Sequence, residues 1–344
     1  VAKLSSLCFR ADASPQIGLG HVMRCLTLAD TLAQQGIHSH FICAPEGAAL
    51  AQEVLQRRHR LSLLPKQPRH SDEDAQLCRA LLTDTPLWLI VDHYGLDRRW
   101  QQSMRALGCP IMAIDDLERP HDCDLLLDQN LLDNSNPYQA LTPPSCRPLL
   151  GPHYALLRPE FANLRQQMRL RSQLQHVLLF FGGSDPGNET CKALQGLLQS
   201  SFSGSIEVIV GKAYAHREPL QRLVAQGGQR LSLQVHIDNI AERMHNADLA
   251  IGAGGTASWE RCCLGLPTLI TILADNQIAV AERLQQAGAA CNLGFAAQLQ
   301  PIDYTKALEE ISPAQLLLLS GAAAQLVDGQ GSMRVAAALL SFSV

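Results

Sequence analysis

Metal-ligand and disulfide patterns are both missing from this 344-residue sequence. Its eleven cysteines, an odd number, run from Cys8 to Cys291 without a C-x-x-C pair, and Cys262-Cys263 are simply adjacent. That excludes a disulfide framework, which needs an even, spaced set in a short secreted chain, and it leaves structural zinc without ligands. Most of the cysteines read instead as small apolar core residues. Charge is scarce: 17% of residues are charged and the net charge is -4, so no broad field attracts nucleic acid or an acidic membrane. No apolar run reaches the ~18 residues of a membrane span. Val1-Ala2-Lys3-Leu4 has no signal-peptide core, and the expected compartment is the cytoplasm. What is present, 47% apolar residues, describes a well-packed globular chain with room for two domains at roughly 150 residues each.

Short apolar runs alternate with helix-period segments along the chain. Strands are expected at Leu4–Phe9, Ser39–Cys43, Leu61–Leu64, Leu87–Val91 and Pro110–Ile114, with helices from His21 and near 47–58, 71–82 and 97–107. Turn chemistry then breaks the pattern at about 130–160, in Asn134-Ser135-Asn136-Pro137, Thr142-Pro143-Pro144 and Gly151-Pro152. A second series follows, with strands expected at His176–Phe181, Ile206–Val210, Leu231–Val235, Leu249–Ile251 and Thr268–Ile272, and a final helical stretch over 313–344. Buried runs separated by helices predict parallel sheets covered on both faces. The expected class is therefore α/β, with two Rossmann-like doubly wound domains facing a central cleft, 1–150 and 151–344, the last helices free to pack back on the first. Ligands of such sheets bind beyond the carboxyl ends of the strands, so the loops after strands carry the interest.

The first such loop ends in Ile17-Gly18-Leu19-Gly20-His21. The dinucleotide fingerprint G-x-G-x-x-G fails here because its third glycine is Met23. His21 falls in the first turn of a helix, where the dipole favours a neutral imidazole able to act as a general base. A turn shaped by Gly18 and Gly20 and capped by His21 accounts for the same residues. Asp92-His93-Tyr94-Gly95 and Asp115-Asp116 also follow strands. Helix capping is the simpler role for Asp116, a site role the better one for Asp92 and Tyr94. In the second half, Phe181-Gly182-Gly183-Ser184-Asp185 and Ile251-Gly252-Ala253-Gly254-Gly255-Thr256 are glycine-rich strand-to-helix turns suited to phosphate oxygens. No Gly-Lys-Ser/Thr follows either, which disfavours ATP hydrolysis. Glu260, one turn beyond Thr256, is placed to accept from ribose hydroxyls. Bare strand-to-helix connections remain the alternative, weakened by there being two. His38, His40, His59, His70 and His216 are expected at the surface, and Lys212 in solvent.

The run Ile17-Gly18-Leu19-Gly20-His21-Val22-Met23-Arg24-Cys25-Leu26 resembles the N-terminal motif of PseG-type enzymes, the UDP-2,4-diacetamido-2,4,6-trideoxy-β-L-altropyranose hydrolases of pseudaminic acid biosynthesis. The resemblance continues in order through Val91-Asp92-His93-Tyr94-Gly95, Ile114-Asp115-Asp116, Tyr154–Phe161, Phe181–Asp185, Asp238-Asn239-Ile240, Gly254-Gly255-Thr256 with Glu260, and Asp275-Asn276-Gln277. It covers essentially the whole chain. The second half alone is similar to the donor domain of MurG-type glycosyltransferases, in which Ile237 to Ile240, Gly254-Gly255 and Glu260 fall where uracil, pyrophosphate and ribose are held. Both families imply the GT-B architecture.

The resemblance implies hydrolysis at the anomeric carbon with inversion, releasing UDP, with no cofactor, no metal and no obligatory protein partner. His21 is then the base, and Asp12 and Tyr94 orient it or the water. Gly20, Arg158, Gly183, Ser184, Ile237, Ile240, Gly254, Gly255, Thr256, Glu260, Asn276 and Gln277 bind the UDP-linked sugar. A sugar transferase with another acceptor and a non-catalytic UDP-sugar binder are the competing readings.

Overall fold

The structure, a computed structural model, describes residues 6–12, 20–47, 53–133 and 136–342. Gly18 and most of the first glycine turn lie outside the described residues, as do 48–52 of the helix expected near 47–58 and the Asn134-Ser135 step. The chain divides into two compact units, residues 1–158 with 330–344, and residues 159–329.

The first unit is built on seven parallel strands. In chain order they are β1 (Ser6–Ala11), β2 (His38–Cys43), β3 (Arg60–Leu63), β4 (Trp88–Asp92), β5 (Ile111–Ile114), β6 (Leu125–Asp128) and β7 (Arg147–Leu150). Their order across the sheet is β3-β2-β1-β4-β5-β6-β7. β4 and β5 are buried throughout, as strands covered on both faces must be. On one face the helix Gly20–Ala33 packs Val22, Cys25, Leu26 and Ala29 into a cluster with Phe9, Phe41 and Ile90. On the other, Trp100, Met104 and Tyr138 pack against Val91, Ala113 and Leu126.

The second unit has six parallel strands: β8 (His176–Phe180), β9 (Ser205–Val210), β10 (Leu231–Val235), β11 (Leu249–Ala253), β12 (Thr268–Ile272) and β13 (Cys291–Phe295). They lie in the order β10-β9-β8-β11-β12-β13. Both sheets therefore reverse direction of growth at one point, between β1 and β4 in the first and between β8 and β11 in the second. At such a switch point two neighbouring strand-to-helix loops diverge and leave a crevice at the carboxyl ends. His21 and Asp92 flank the first switch point, and the two glycine turns flank the second.

Three strands escape the hydropathy reading. β6 is a four-residue run and β7 opens with two exposed residues, one of them Pro148, which an edge strand tolerates. β13 is half-buried and contains Gly294 in the left-handed region. The boundary expected after residue 150 also shifts. Gly151 N donates to Asp128 O at 2.8 Å, Leu156 N donates to the Gln129 carboxamide at 3.2 Å, and Ala155 to Leu157 are buried, so 151–158 stay with the first unit. The last helix, Gly331–Leu340, joins it too. A β-carbon on Gly331 would meet Ala155 O at 2.2 Å, Ser332 Oγ donates to Leu157 O at 3.0 Å, and Trp88 Nε1 donates to Leu339 O at 3.1 Å.

All eleven cysteines are free thiols, nine of them buried and Cys146 and Cys291 partly so. Among the described residues no helix is long and apolar enough to cross a membrane. Two histidines expected at the surface are buried instead. His40 bonds Ser62 Oγ at 2.9 Å, and His59 reaches Asp30 at 2.8 Å while packing on Phe41. Each has a partner from a distant segment, which sequence spacing cannot reveal.

Candidate active site

The register Ala11↔Asp92 sets the ends of β1 and β4 side by side, so Asp12 and Asp92 emerge together at the switch point of the first unit. They have different tasks. Asp12 is paired with the buried Arg10, Nη1 to Oδ1 at 2.5 Å and Nη2 to Oδ2 at 2.9 Å. It also accepts from Ala44 N at 2.7 Å and lies 3.2 Å from His93 Nε2. Burial alone would favour its neutral form, but His93 and Arg10 hold it ionised, well below the usual carboxylate range. Arg10 in turn reaches Asp74 at 2.6 Å, and Trp100 Nε1 donates to the same carboxylate at 2.8 Å. Asp12, expected to orient His21, is thus committed to the Arg10 network.

Asp92 takes that position. The helix beginning at Gly20 puts His21 and Arg24 one turn apart on its buried face, both aimed at β4. His21 Nδ1 lies 2.5 Å from Asp92 Oδ1, while Arg24 grips the same carboxylate with Nε to Oδ2 at 2.5 Å and Nη2 to Oδ1 at 2.6 Å. Burial opposes a charge on Asp92, yet Arg24 and His21 hold it ionised and well below its usual range. An ionised Asp92 fixes the imidazole. Two contacts bear on the tautomer: a bare Nδ1 would set two acceptors face to face at 2.5 Å, whereas a protonated one faces Arg24 Nη2 only at 3.2 Å. The shorter contact assigns the proton to Nδ1, which donates to Asp92. Nε2 is then the basic nitrogen, and among the described residues it has no hydrogen-bond partner.

Tyr94 packs edge-on against the His21 ring, with centroids 4.6 Å apart and planes at 88°. Its hydroxyl donates to Asp116 Oδ2 at 3.4 Å, an oxygen that Arg24 Nη1 also approaches at 3.4 Å. Tyr94 thus touches His21 through its ring, and Asp116 belongs to the same charge network instead of capping a helix. The strand-end position of Asp92 signals a site role but not its partner, and Arg24 carries no role in the sequence reading, although an arginine three residues after His21 shares its helix face.

The second unit offers a different surface. Gly182 has φ +98°, which only glycine adopts without strain, and it turns Gly183 and Ser184 outward, both exposed. Gly211 supports that turn from the end of β9, where a β-carbon would meet Gly183 O at 2.1 Å. Asp185 is buried and accepts from Glu189 N and Thr190 N at 3.0 and 2.8 Å, so it caps the helix Glu189–Gln199. On the neighbouring strand, a β-carbon on Gly254 would come within 3.2 Å of Ile270 and 3.4 Å of Gln277. Gln277 is fixed there because its Oε1 accepts from Leu273 N at 3.0 Å. The fold thus brings Gln277 against Gly254-Gly255 at the switch point.

Thr256, Glu260 and Arg158 are half-buried and Asn276 is exposed. Ile237 is half-buried and Ile240 buried at the end of β10, which lies two strands from β8, so these two stand apart from the glycine turns. Among the described residues no group of three or more His, Cys, Asp or Glu is arranged to hold a metal ion.

With this geometry in hand, comparison with known proteins is informative. Residues 177–324 match the glycosyltransferase family 28 C-terminal domain. The chain is 25% identical over 278 residues to the uncharacterized protein MJ1062 of Methanocaldococcus jannaschii, covering 78% of this chain and 55% of that protein. It is 26% identical over 281 residues to the UDP-2,4-diacetamido-2,4,6-trideoxy-β-L-altropyranose hydrolase of Campylobacter jejuni, covering 81% of this chain and 96% of that one. It is also 26% identical over 349 residues to the spore coat polysaccharide biosynthesis protein SpsG of Bacillus subtilis, with 96% of each covered. Among solved structures, Acinetobacter baumannii MurG superposes with a TM-score of 0.70 at 16% identity over 98% of this chain and 100% of that one. The fold is therefore GT-B, the second unit is similar to the glycosyltransferase family 28 C-terminal domain, and the resemblance carried by the ordered motifs is matched by a relative named as the altropyranose hydrolase.

Proposed function

We propose that this chain is a sugar-nucleotide enzyme that hydrolyses a UDP-linked 2,4-diacetamido-2,4,6-trideoxy sugar at its anomeric carbon. The observation that carries the reading is the Asp92–His21 pair, which leaves a basic Nε2 on an imidazole locked by Asp92 and Arg24. A base so held can take a proton from water as the oxygen attacks the anomeric carbon. The C–O bond to the diphosphate breaks, UDP leaves with the electron pair, and attack from the opposite face inverts the centre. A diphosphate needs no protonation to leave if its charge is stabilised, and the backbone N–H groups of Gly183-Ser184 and Gly254-Gly255-Thr256 suit that task. Glu260 would accept from the ribose hydroxyls, Ile237 and Ile240 would border the base, and Arg158, Asn276 and Gln277 would hold sugar or diphosphate.

The relative named as the altropyranose hydrolase supports the choice of both sugar and UDP carrier, and the match to the glycosyltransferase family 28 C-terminal domain supports a sugar-transfer class of chemistry. The same domain favours a second reading, transfer of the sugar to an acceptor other than water. The two separate in one assay. Purified protein is incubated with the UDP-diacetamido-trideoxy-altropyranose sugar in buffer lacking any acceptor or added metal, and UDP is quantified. Steady UDP release at a rate proportional to enzyme supports hydrolysis. Release that begins only on adding an acceptor supports the transferase.

A further inference from the structure

Two arginines of the second unit are almost fully buried, and neither is ion-paired with a carboxylate among the described residues, Asp248 and Glu260 acting on Arg171 and Arg261 only at longer range. Arg171, 0% exposed, is saturated. Its Nε donates to Ala247 O at 3.2 Å, Nη1 to Arg169 O at 3.0 Å and to Leu264 O, and Nη2 to His245 O at 3.0 Å and Met244 O at 3.4 Å. Every donor group has a carbonyl, so Arg171 is a strut that ties the ends of two helices to one segment.

Arg261, 2% exposed, differs. Its Nη2 donates to Ala253 O at 2.7 Å and Ser258 Oγ at 3.0 Å. Nε is buried with no partner, and Nη1 makes no hydrogen bond among the described residues. The guanidinium lies at the carboxyl end of β11, where a β-carbon on Gly252 would meet Nη1 at 2.9 Å. That is the strand from which Gly254-Gly255-Thr256 departs, beside β8 and its Gly182-Gly183-Ser184 turn. A buried cation left without an anion is costly to the folded protein, and such a charge persists where a ligand supplies the missing partner.

We propose that Arg261 is a diphosphate-binding residue whose uncompensated charge under the glycine turn is neutralised by the pyrophosphate of the nucleotide. The inference rests on the UDP-sugar reading above. It assigns the anion affinity of the second unit to a side chain beneath the turn as well as to the backbone N–H groups of the turn itself. A β-carbon at 252 would meet Phe180 O at 2.2 Å before it met the guanidinium, so the glycine is required first by the close approach of β8 and also leaves room for Nη1. Burial also weakens the charge of Arg261, holding its pKa at about 10, and a bound diphosphate reverses that pressure.

The test uses the full chain and three probes, UDP, uridine and inorganic pyrophosphate, with affinities read by calorimetry and melting by calorimetric scan. Arg261→Gln keeps a donor toward Ala253 O and removes the charge. It is expected to weaken UDP and pyrophosphate by at least about thirtyfold, the low end of the range for removing one member of a buried charge pair, while uridine binding stays within about twofold. Arg261→Lys, which retains the charge, is expected to keep more of the UDP affinity than Arg261→Gln. Without ligand, Arg261→Met should melt no lower than the parent protein, whereas Arg171→Met should melt well below it. The proposal is overturned if Arg261→Gln binds UDP like the parent, if it loses uridine and UDP equally, or if Arg261→Met melts far below the parent. If the parent itself binds neither UDP nor pyrophosphate, the UDP-sugar reading fails, and this inference fails with it.

Discussion

The two switch points have the same topology and opposite chemistry. In the first unit the crevice is lined by charges that are already paired with one another. Arg10 is shared by Asp12 and Asp74, and Arg24 by Asp92 and Asp116, with His21 as the group whose basic nitrogen is left over. In the second unit the crevice is lined by glycine turns, an outward serine and a guanidinium with two unused donor atoms. The first network, saturated except at the buried Asp116 Oδ1, fixes the geometry around His21. The unsaturated guanidinium of the second is the feature assigned above to an anion. The difference teaches that one Rossmann-like scaffold can be tuned as a positioned base or as an anion receptor by the residues at two loop starts.

The largest effect should come from breaking the saturated half at its reacting group. His21→Ala is expected to lower kcat by about a hundredfold to ten-thousandfold, the usual worth of a positioned general base, with UDP affinity unchanged within about threefold. Steady-state kinetics together with UDP calorimetry would check both. A variant that loses UDP affinity in proportion to kcat would make His21 a binding residue.

Asp92→Asn comes next, because it releases the imidazole and leaves Arg24 buried with only the distant Asp116. Removing one partner of a buried pair costs about 3–5 kcal/mol, so a clear drop in melting temperature should accompany lost turnover. The pH dependence follows from the direction of the shift. The folded-state pKa of Asp92 is depressed, so its contribution is fully present above the ordinary carboxylate range near pH ~4 and is lost as pH falls through the folded value. Asp12 behaves alike. Acidification from pH 5 to 3 should therefore loosen the first unit before the second, measurable as earlier hydrogen exchange in β1 and β4 than in β8 and β11. In Asp92→Asn the acid-dependent loss should be smaller, since one of its sources is gone.

A smaller effect should come from disturbing the receptor half at its support. Gly211→Ala sets a methyl group 2.1 Å from Gly183 O, so the β8 turn must shift. The expected cost is about 1–3 kcal/mol of stability, as for other overpacked sites, together with weaker UDP binding and unchanged His21 environment by NMR. Unchanged UDP affinity in a destabilised Gly211→Ala would detach the Ser184 turn from nucleotide binding.

The same contrast explains what could be read from the chain without coordinates. Ten of the strands announce themselves as apolar runs, the edge strands β3 and β10 among them, whereas the four-residue β6, the Pro148-containing β7 and the half-buried β13 give a signal too short or too mixed. The glycine turns of the second unit were legible because their pattern is local: Gly182-Gly183-Ser184 and Gly254-Gly255-Thr256 each lie within one strand-to-helix connection. The network of the first unit was only half legible. His21 and Asp92 are 71 positions apart, and Arg10 and Asp74 are 64 apart. Which aspartate faces the histidine is set by the β1–β4 register, and that register put Asp92 on His21 and gave Asp12 to Arg10. Arg261 was hidden for a related reason, since an arginine following Glu260 on a short helix reads as surface charge until its burial is known.

The central claim, that His21 directs water to the anomeric carbon, is tested most directly by hydrolysing the UDP-sugar in ¹⁸O-labelled water and weighing the released UDP. UDP is the product to read, because the anomeric hydroxyl of the free sugar exchanges with water. Cleavage of the C–O bond predicts UDP of unlabelled mass, with the label confined to the sugar at early times. An ¹⁸O atom on the β-phosphate of UDP would place the attack on phosphorus and contradict the account.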